Sequence, residues 1–387
     1  MNILRRLPLS RLLLLCGVVV AVGIGATALA LAVGSGPTPP PKPLPEALHE
    51  ALSAPHVSGV SARIQYTNHL LEGSSLASGA GGEASQLTSS PLLSGATGRL
   101  WIGSNGHARL ELQSESGDTQ ILYDGHNLSL YDASTNMLYR YTPPAESGST
   151  DHQGAGTGGE PGSEAGSGSS GSTGTNADQK IPTVAEIEEG IARLGKHADI
   201  SGATPTDVAG QAAYTVRIDP RESGSLLAGA ELSWDASTGV PLRTAVYSTA
   251  GSAPVIELAA TEISYGPVES SILDFTPPAN AKVEEVTLPS KHSHASSAAE
   301  GDGKPQVTTH GKGLSSVVEL ASPAKAGAKE APGSQLEELP KVYIDGVSAA
   351  ELPTQLGTLL TFERAGVRDV LGGSVTPSTI EEFARGL

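Results

Sequence analysis

A single cysteine, Cys16, in 387 residues excludes an intramolecular disulfide and any thiolate cluster around zinc. Stability has to come from packing. Aromatic residues are scarce at 4% and charged residues make up 17%, while glycine (47) and proline (27) are abundant, so much of the chain has to be linker rather than core. Positive charge is also in deficit: 24 Lys and Arg against 41 Asp and Glu give a net −17, which repels nucleic acid and anionic lipid headgroups at long range. A nucleic-acid function is thereby excluded.

Catalytic signatures are missing as well. There is no H-E-x-x-H, G-x-S-x-G or P-loop. Gly154, Gly156 and Gly159, and again Gly166, Gly168 and Gly171, match G-x-G-x-x-G, but neither match follows a strand or opens a helix, as dinucleotide binding requires. His292 and His294 have no third ligand nearby and read as solvated linker residues. Asp124 and Asp132 stand at turns, where aspartate is favoured for backbone reasons. The chain reads as a non-enzyme with no metal and no cofactor, and a hydrolase is the least supported class.

What is present begins with an apolar run, Leu12 to Val33, preceded by Arg5, Arg6 and Arg11. Twenty-two residues at about 1.5 Å per residue cover roughly 33 Å, enough for a bilayer core. Ala28-Leu29-Ala30 reads as a small-residue cleavage site, although a secretory apolar region is usually only about 7–15 residues long, so the length favours an anchor. Residues 1–36 are therefore expected to be a transmembrane anchor or a signal. With an anchor, the expectation is a single-pass protein of the cell membrane with a cytoplasmic N-terminus and the bulk of the chain extracytoplasmic, or secreted if the signal is cleaved.

Composition divides the remainder. Residues 37–45 form a Pro-rich tether, 46–286 a β-rich domain, 287–303 a linker and 304–387 a small C-terminal α+β domain. Within these, 72–98 reads as a mobile loop, and 144–180 and 322–339 as disordered inserts too poor in apolar side chains to offset the entropy of ordering.

From Thr97 to Tyr141 short alternating strands are separated by turn signals, the pattern of an antiparallel meander. Asn105-Gly106 favours a two-residue hairpin, because both positions tolerate positive φ. The register that follows puts Leu100, Ile102, Leu110 and Leu112 on one face and Arg109, Glu111 and Gln113 on the other; Ile121 and Tyr123 continue the apolar face. A second set of strands places Tyr214 with Val216 and Leu232 with Trp234. Between the sets, Thr183 and Glu186 form a capping-box pattern, and Val184, Ile187, Ile191 and Leu194 make one apolar helical stripe. A shorter helix is expected from Pro45 to Ser53, with Leu44, Leu48 and Leu52 on one face. Strands on both sides of a striped helix predict α+β: a curved antiparallel sheet, an incomplete barrel, wrapped over helices.

Three phrases carry a family resemblance: Val208 to Arg217, then Leu232-Ser233-Trp234-Asp235-Ala236-Ser237-Thr238-Gly239-Val240-Pro241-Leu242-Arg243, then Phe275 to Val283. Over roughly Leu44 to Val286 the chain resembles the LolA/RseB superfamily of lipoprotein carriers and envelope-stress sensors. The resemblance implies an incomplete barrel with an apolar cavity for acyl chains. Lys341 to Leu387 resembles a small domain of exported bacterial proteins related to anti-sigma factors. The expected function is binding of a lipid acyl chain or lipoprotein, with Leu100, Ile102, Leu110, Leu112, Ile121, Tyr123, Tyr214, Val216, Leu232 and Trp234 as cavity candidates and Val184, Ile187, Ile191 and Leu194 as lid candidates. Those lid side chains would equally fill the space as ordinary core. The alternative is an RseB-like envelope-stress regulator that binds an anti-sigma factor.

Overall fold

The structure is a computed structural model that describes residues 36–72, 91–115, 117–143, 181–286, 306–323 and 339–387. The apolar run Leu12 to Val33, both glycine motifs, His292 and His294, and nearly all of the two inserts lie outside these residues. The expected single-pass membrane placement does not stand. Among the described residues no helix is long and apolar enough to cross a membrane; the longest, Val184–Leu194, has 11 residues and covers only about 16 Å, half of a bilayer core.

The α+β expectation holds. The first unit contains α1 (Leu44–Ser53), β1 (Gly59–Asn68), a short turn of helix α2 (Pro91–Ser94), β2 (Ala96–Gly103), β3 (Ala108–Ser114), β4 (Gly117–Tyr123), β5 (Leu128–Asp132) and β6 (Met137–Tyr141). It continues with α3 (Val184–Leu194), β7 (Ala198–Ile200), β8 (Thr204–Val208), β9 (Gln211–Pro220), β10 (Leu227–Asp235), β11 (Pro241–Ser248), β12 (Pro254–Tyr265), the short α4 (Ser270–Leu273) and β13 (Lys282–Val286). These strands form one 13-stranded sheet in the order β13-β6-β5-β4-β3-β2-β1-β12-β11-β10-β9-β7, with β8 on β9. It is not closed into a barrel. Two meanders, β2 to β6 and β9 to β12, are joined through β1.

A hairpin forms at Asn105-Gly106, but with a three-residue loop, Ser104-Asn105-Gly106, instead of the expected two: the Gly103 amide donates to the His107 carbonyl at 2.9 Å, Ile102 pairs with Ala108, and of the Asn-Gly pair only the glycine takes positive φ. Gly106 has φ 79° and its amide donates to the Gly103 carbonyl at 3.0 Å. Thr183 and Glu186 make both bonds of the capping box. One pairing departs from the antiparallel pattern. After β12 the chain crosses the reverse face of the sheet, where Arg109 donates to the Ile272 carbonyl at 2.8 Å and Phe275 packs on Tyr131, and β13 then meets β6 in parallel.

The second unit is a six-stranded sheet in the order β14-β15-β19-β18-β17-β16, built from β14 (Gln306–His310), β15 (Val317–Pro323), β16 (Lys341–Ile344), β17 (Val347–Pro353), β18 (Thr358–Arg364) and β19 (Val367–Gly373). Helix α5 (Pro377–Arg385) covers one face with Ile380 and Ala384, over Val317, Ala349, Leu360, Phe362 and Leu371. The two units meet through polar bonds: Leu226 N–H to the Ser374 carbonyl (2.8 Å), Gln355 N–H to the Leu70 carbonyl (2.9 Å), and Glu222 accepting from the Leu314 N–H (3.1 Å) and the Ser315 hydroxyl (2.9 Å).

Candidate functional site

In an antiparallel sheet directly paired residues share a face, so the pairing register alone shows which side chains stand together. Ala62, Leu100, Leu110 and Ile121 are paired in succession across β1 to β4, as are Val60, Ile102, Ala108 and Tyr123. Tyr66, paired with Ala96, carries the same face across β12 and β11 through Leu258 and Thr244 to Leu232. Leu232 pairs with Val216, and Trp234 with Tyr214. All ten cavity candidates therefore lie on one face of the large sheet.

That face is roofed at two places and thinly covered elsewhere. At one end α1 packs Leu44 and Ala47 over Tyr214, Val216 and Trp234. Over the central strands β1 to β3, Leu92 of α2 packs over a cluster of Ala62, Ile64, Ala96 and Leu112. Helix α2 is held there by its Leu92 carbonyl, which accepts from the Tyr66 hydroxyl at 3.0 Å and the Asn68 amide at 2.6 Å. Burial differs accordingly between equivalent residues: Leu112 is 1% exposed and Leu232 is 37% exposed. Val216 is buried, Leu100, Ile102, Leu110 and Ile121 are half-buried, and Tyr123 is exposed.

The lid candidates behave differently from a sheet-covering stripe. None of Val184, Ile187, Ile191 and Leu194 is buried, only Ile191 joins the packing around Trp234, and Leu194 is exposed. Helix α3 rests on α1, to which the His49 ring bonds at the Pro182 carbonyl (2.9 Å). The helix that touches the sheet is α1. Residues Leu258, Ile263 and Ile64 also belong to the apolar face. Their signal was alternation in β1 and β12, broken where the register shifts between Arg63 and Ile64.

The reverse face has a different chemistry. Glu231 accepts from Arg243 (2.7 Å), Arg217 (3.2 Å) and the Tyr247 hydroxyl (2.7 Å), Arg243 also reaches Glu257, and the Arg217 guanidinium stacks 4.4 Å from the Tyr247 ring centre. Burial opposes ionisation of Glu231, yet the bonds from Arg243, Tyr247 and Arg217 hold it below the usual carboxylate range. This ladder is self-satisfied. A cleft of about 630 Å³ lies under the crossing segment, between Leu122, Leu138, Phe275 and Arg140, but its polar groups are already engaged: Arg140 with Glu285, and Asp124 with Asn127. The side-chain and backbone bonds of Asn127, with that of the His126 N–H, lower the Asp124 pKa to about 2, consistent with a turn-forming carboxylate. Among the described residues no group of three or more His, Cys, Asp or Glu is placed to hold a metal.

No family model matches the chain, and no curated protein matches it. Solved structures similar to it include the MucA/MucB complex of Pseudomonas aeruginosa, at 15% identity and TM-score 0.41, covering 88% of this chain and 96% of that one. They also include a putative outer membrane lipoprotein-sorting protein domain from Vibrio parahaemolyticus (10%, TM-score 0.21, 85% and 90%) and the LolA superfamily protein NE2245 from Nitrosomonas europaea (9%, TM-score 0.19, 85% and 90%). The names of these structures include the superfamily that the three sequence phrases resemble.

Proposed function

We propose that the protein is a non-enzymatic binding protein whose large sheet takes an acyl chain, of a lipid or a lipoprotein, on its apolar face. The observation that carries this reading is the shared face of Leu100, Ile102, Leu110, Ile121, Val216 and Leu232, which runs from β4 to β9 with Thr244 as its polar position in β11, while the described helices pack on it only around β1–β3 and around β9–β10. A core strip with no ligand would be expected to lie wholly under its helices; here Leu232 of β10, beside the α1 roof, is 37% exposed. The reverse face, with its closed ion-pair ladder, offers no such surface. Native mass spectrometry of the purified full chain tests the reading. A co-purifying acyl species, lost in a Leu232→Asp variant that still folds, is the expected result; a mass equal to the bare chain after incubation with acylated lipids refutes it.

A second reading, binding of a partner protein of the anti-sigma class through the C-terminal unit, is favoured by one feature. The face of the six-stranded sheet turned away from α5 carries Val307, Val318, Leu320, Val370 and Leu359, and the first two are exposed. Co-migration of the chain with an anti-sigma fragment, abolished by Val318→Lys, is its test.

A further inference from the structure

We propose that the indole N–H of Trp234 is the hydrogen-bond donor that fixes the carbonyl of an ester- or amide-linked acyl chain at the α1 end of the apolar face. This rests on the acyl-binding reading above and adds to it the chemical class of the ligand's head.

Trp234 is 3% exposed, and its Nε1 is fully buried with no hydrogen-bond partner. A buried donor left unpaired is costly, because the water it gave up on burial has no replacement. The neighbouring aromatic group shows that the site can satisfy its polar atoms: Tyr214, whose ring centre lies 6.1 Å from that of Trp234, donates its hydroxyl to the Pro40 carbonyl at 2.7 Å. The unpaired N–H therefore waits for an acceptor that the described residues do not supply.

The surroundings define that acceptor. Trp234 packs with Leu44, Ala47, Tyr214 and Val216, and the cation at the foot of α1, Lys42, is already paired with Glu50. A carboxylate placed there would be buried without a counter-ion, which is strongly unfavourable, whereas a neutral carbonyl needs one donor only. Leu232 lies two residues along the same strand on the same face and is open, so a chain anchored at Trp234 can run along Leu232 and past the methyl-bearing Thr244 toward Leu258. The roof above is light: α1 buries only Leu44 and Ala47, and α3 behind it buries no residue. Lifting α1 uncovers the indole.

The test uses the full chain and three probes: methyl palmitate, palmitate and hexadecane. Wild type is expected to bind methyl palmitate most tightly, and Trp234→Phe to lose about tenfold in affinity for it with hexadecane unchanged, the effect of one neutral hydrogen bond. Equal affinity of Trp234→Phe for methyl palmitate, or an equal loss for both probes, overturns the proposal while leaving acyl binding intact. Failure of wild type to bind any of the three overturns the acyl-binding reading and this proposal together. Should Trp234→Phe not fold, Trp101→Phe leaves Trp234 as the sole indole. Its emission is then expected to shift to the red with methyl palmitate and not with hexadecane, and absence of that difference overturns the proposal.

Discussion

Two leucines on the same sheet face provide a controlled comparison. Leu112 and Leu232 have the same side chain and the same orientation, but one is 1% and the other 37% exposed. Replacing Leu112 by Ala opens a cavity among Ala62, Ile64 and Ala96, whose small or branched side chains have little reach to refill it, so the cost belongs in the range of about 2–5 kcal/mol seen for buried Leu→Ala changes. Leu232→Ala removes a side chain that is already partly in water and leaves no closed void, so its cost is expected below about 1 kcal/mol. Both tryptophans, Trp101 in β2 and Trp234 in β10, belong to the large sheet, so their fluorescence during guanidinium unfolding reports this unit apart from the C-terminal one. Leu112→Ala should lower the midpoint with an unchanged slope, while Leu232→Ala leaves the midpoint near that of wild type and weakens acyl binding. Equal losses for the two variants would refute the assignment of the β1–β3 region as packed core and the Leu232 position in β10 as open surface.

Three further outcomes are expected. Burial pushes the Asp235 carboxyl upward, but bonds from the side chains of Ser237 and Tyr265 and the backbone of Ser237 and Thr238 more than offset this and hold it below 3.8; its stabilisation is therefore present above the ordinary carboxylate pKa and lost as pH falls through the lowered value, and Asp235→Ala should remove that acid-side loss and cost about 2–3 kcal/mol at pH 7 by denaturation. Glu351 goes the other way: burial first, and then Glu381 of α5, raise its pKa, and one of its oxygens has no partner, so the stability of the C-terminal unit is full at low pH and declines as pH rises through the raised value. Glu351→Gln should flatten that decline in melts recorded from pH 4 to 8. Glu222→Ala removes the acceptor for the Leu314 and Ser315 amides, and hydrogen exchange at those two positions should accelerate while the strands of both sheets keep their protection.

Local chemistry made part of this molecule readable. The alternation of Leu100, Ile102, Leu110 and Leu112 and the Asn105-Gly106 turn signal located the hairpin, whereas its three-residue loop, which opposes Leu100 to Leu110 where a two-residue turn would oppose Leu100 to Glu111, was not readable from the dipeptide. The Thr183–Glu186 box fixes the start of α3. The partner of each element was not readable, because partners are chosen by contacts distant in sequence. Helix α3 has the stronger apolar stripe, yet α1 takes the sheet, placing Ala47 and Ala51 close enough for the Ala51 carbonyl to approach Gly239, where φ is +71° and a side chain would collide. The parallel β13–β6 pair depends on a crossing pinned by Arg109 and Phe275, which no spacing announces. The stretch 72–98, expected to be loop, already holds a turn of helix at Pro91–Ser94 and enters β2 at Ala96, its order supplied by Tyr66 and Asn68 from β1.

A sheet of 13 strands that never closes leaves a boundary strand whose outer amides and carbonyls are a template for another molecule. Here that boundary is Lys282-Val283-Glu284-Glu285-Val286, and its three charges sit where a stacking neighbour would have to bring identical charges alongside. The acidic tip thus works as a gatekeeper for solubility, and a chain shortened before Lys282 would bare β6, rich in tyrosine, to edge-to-edge aggregation.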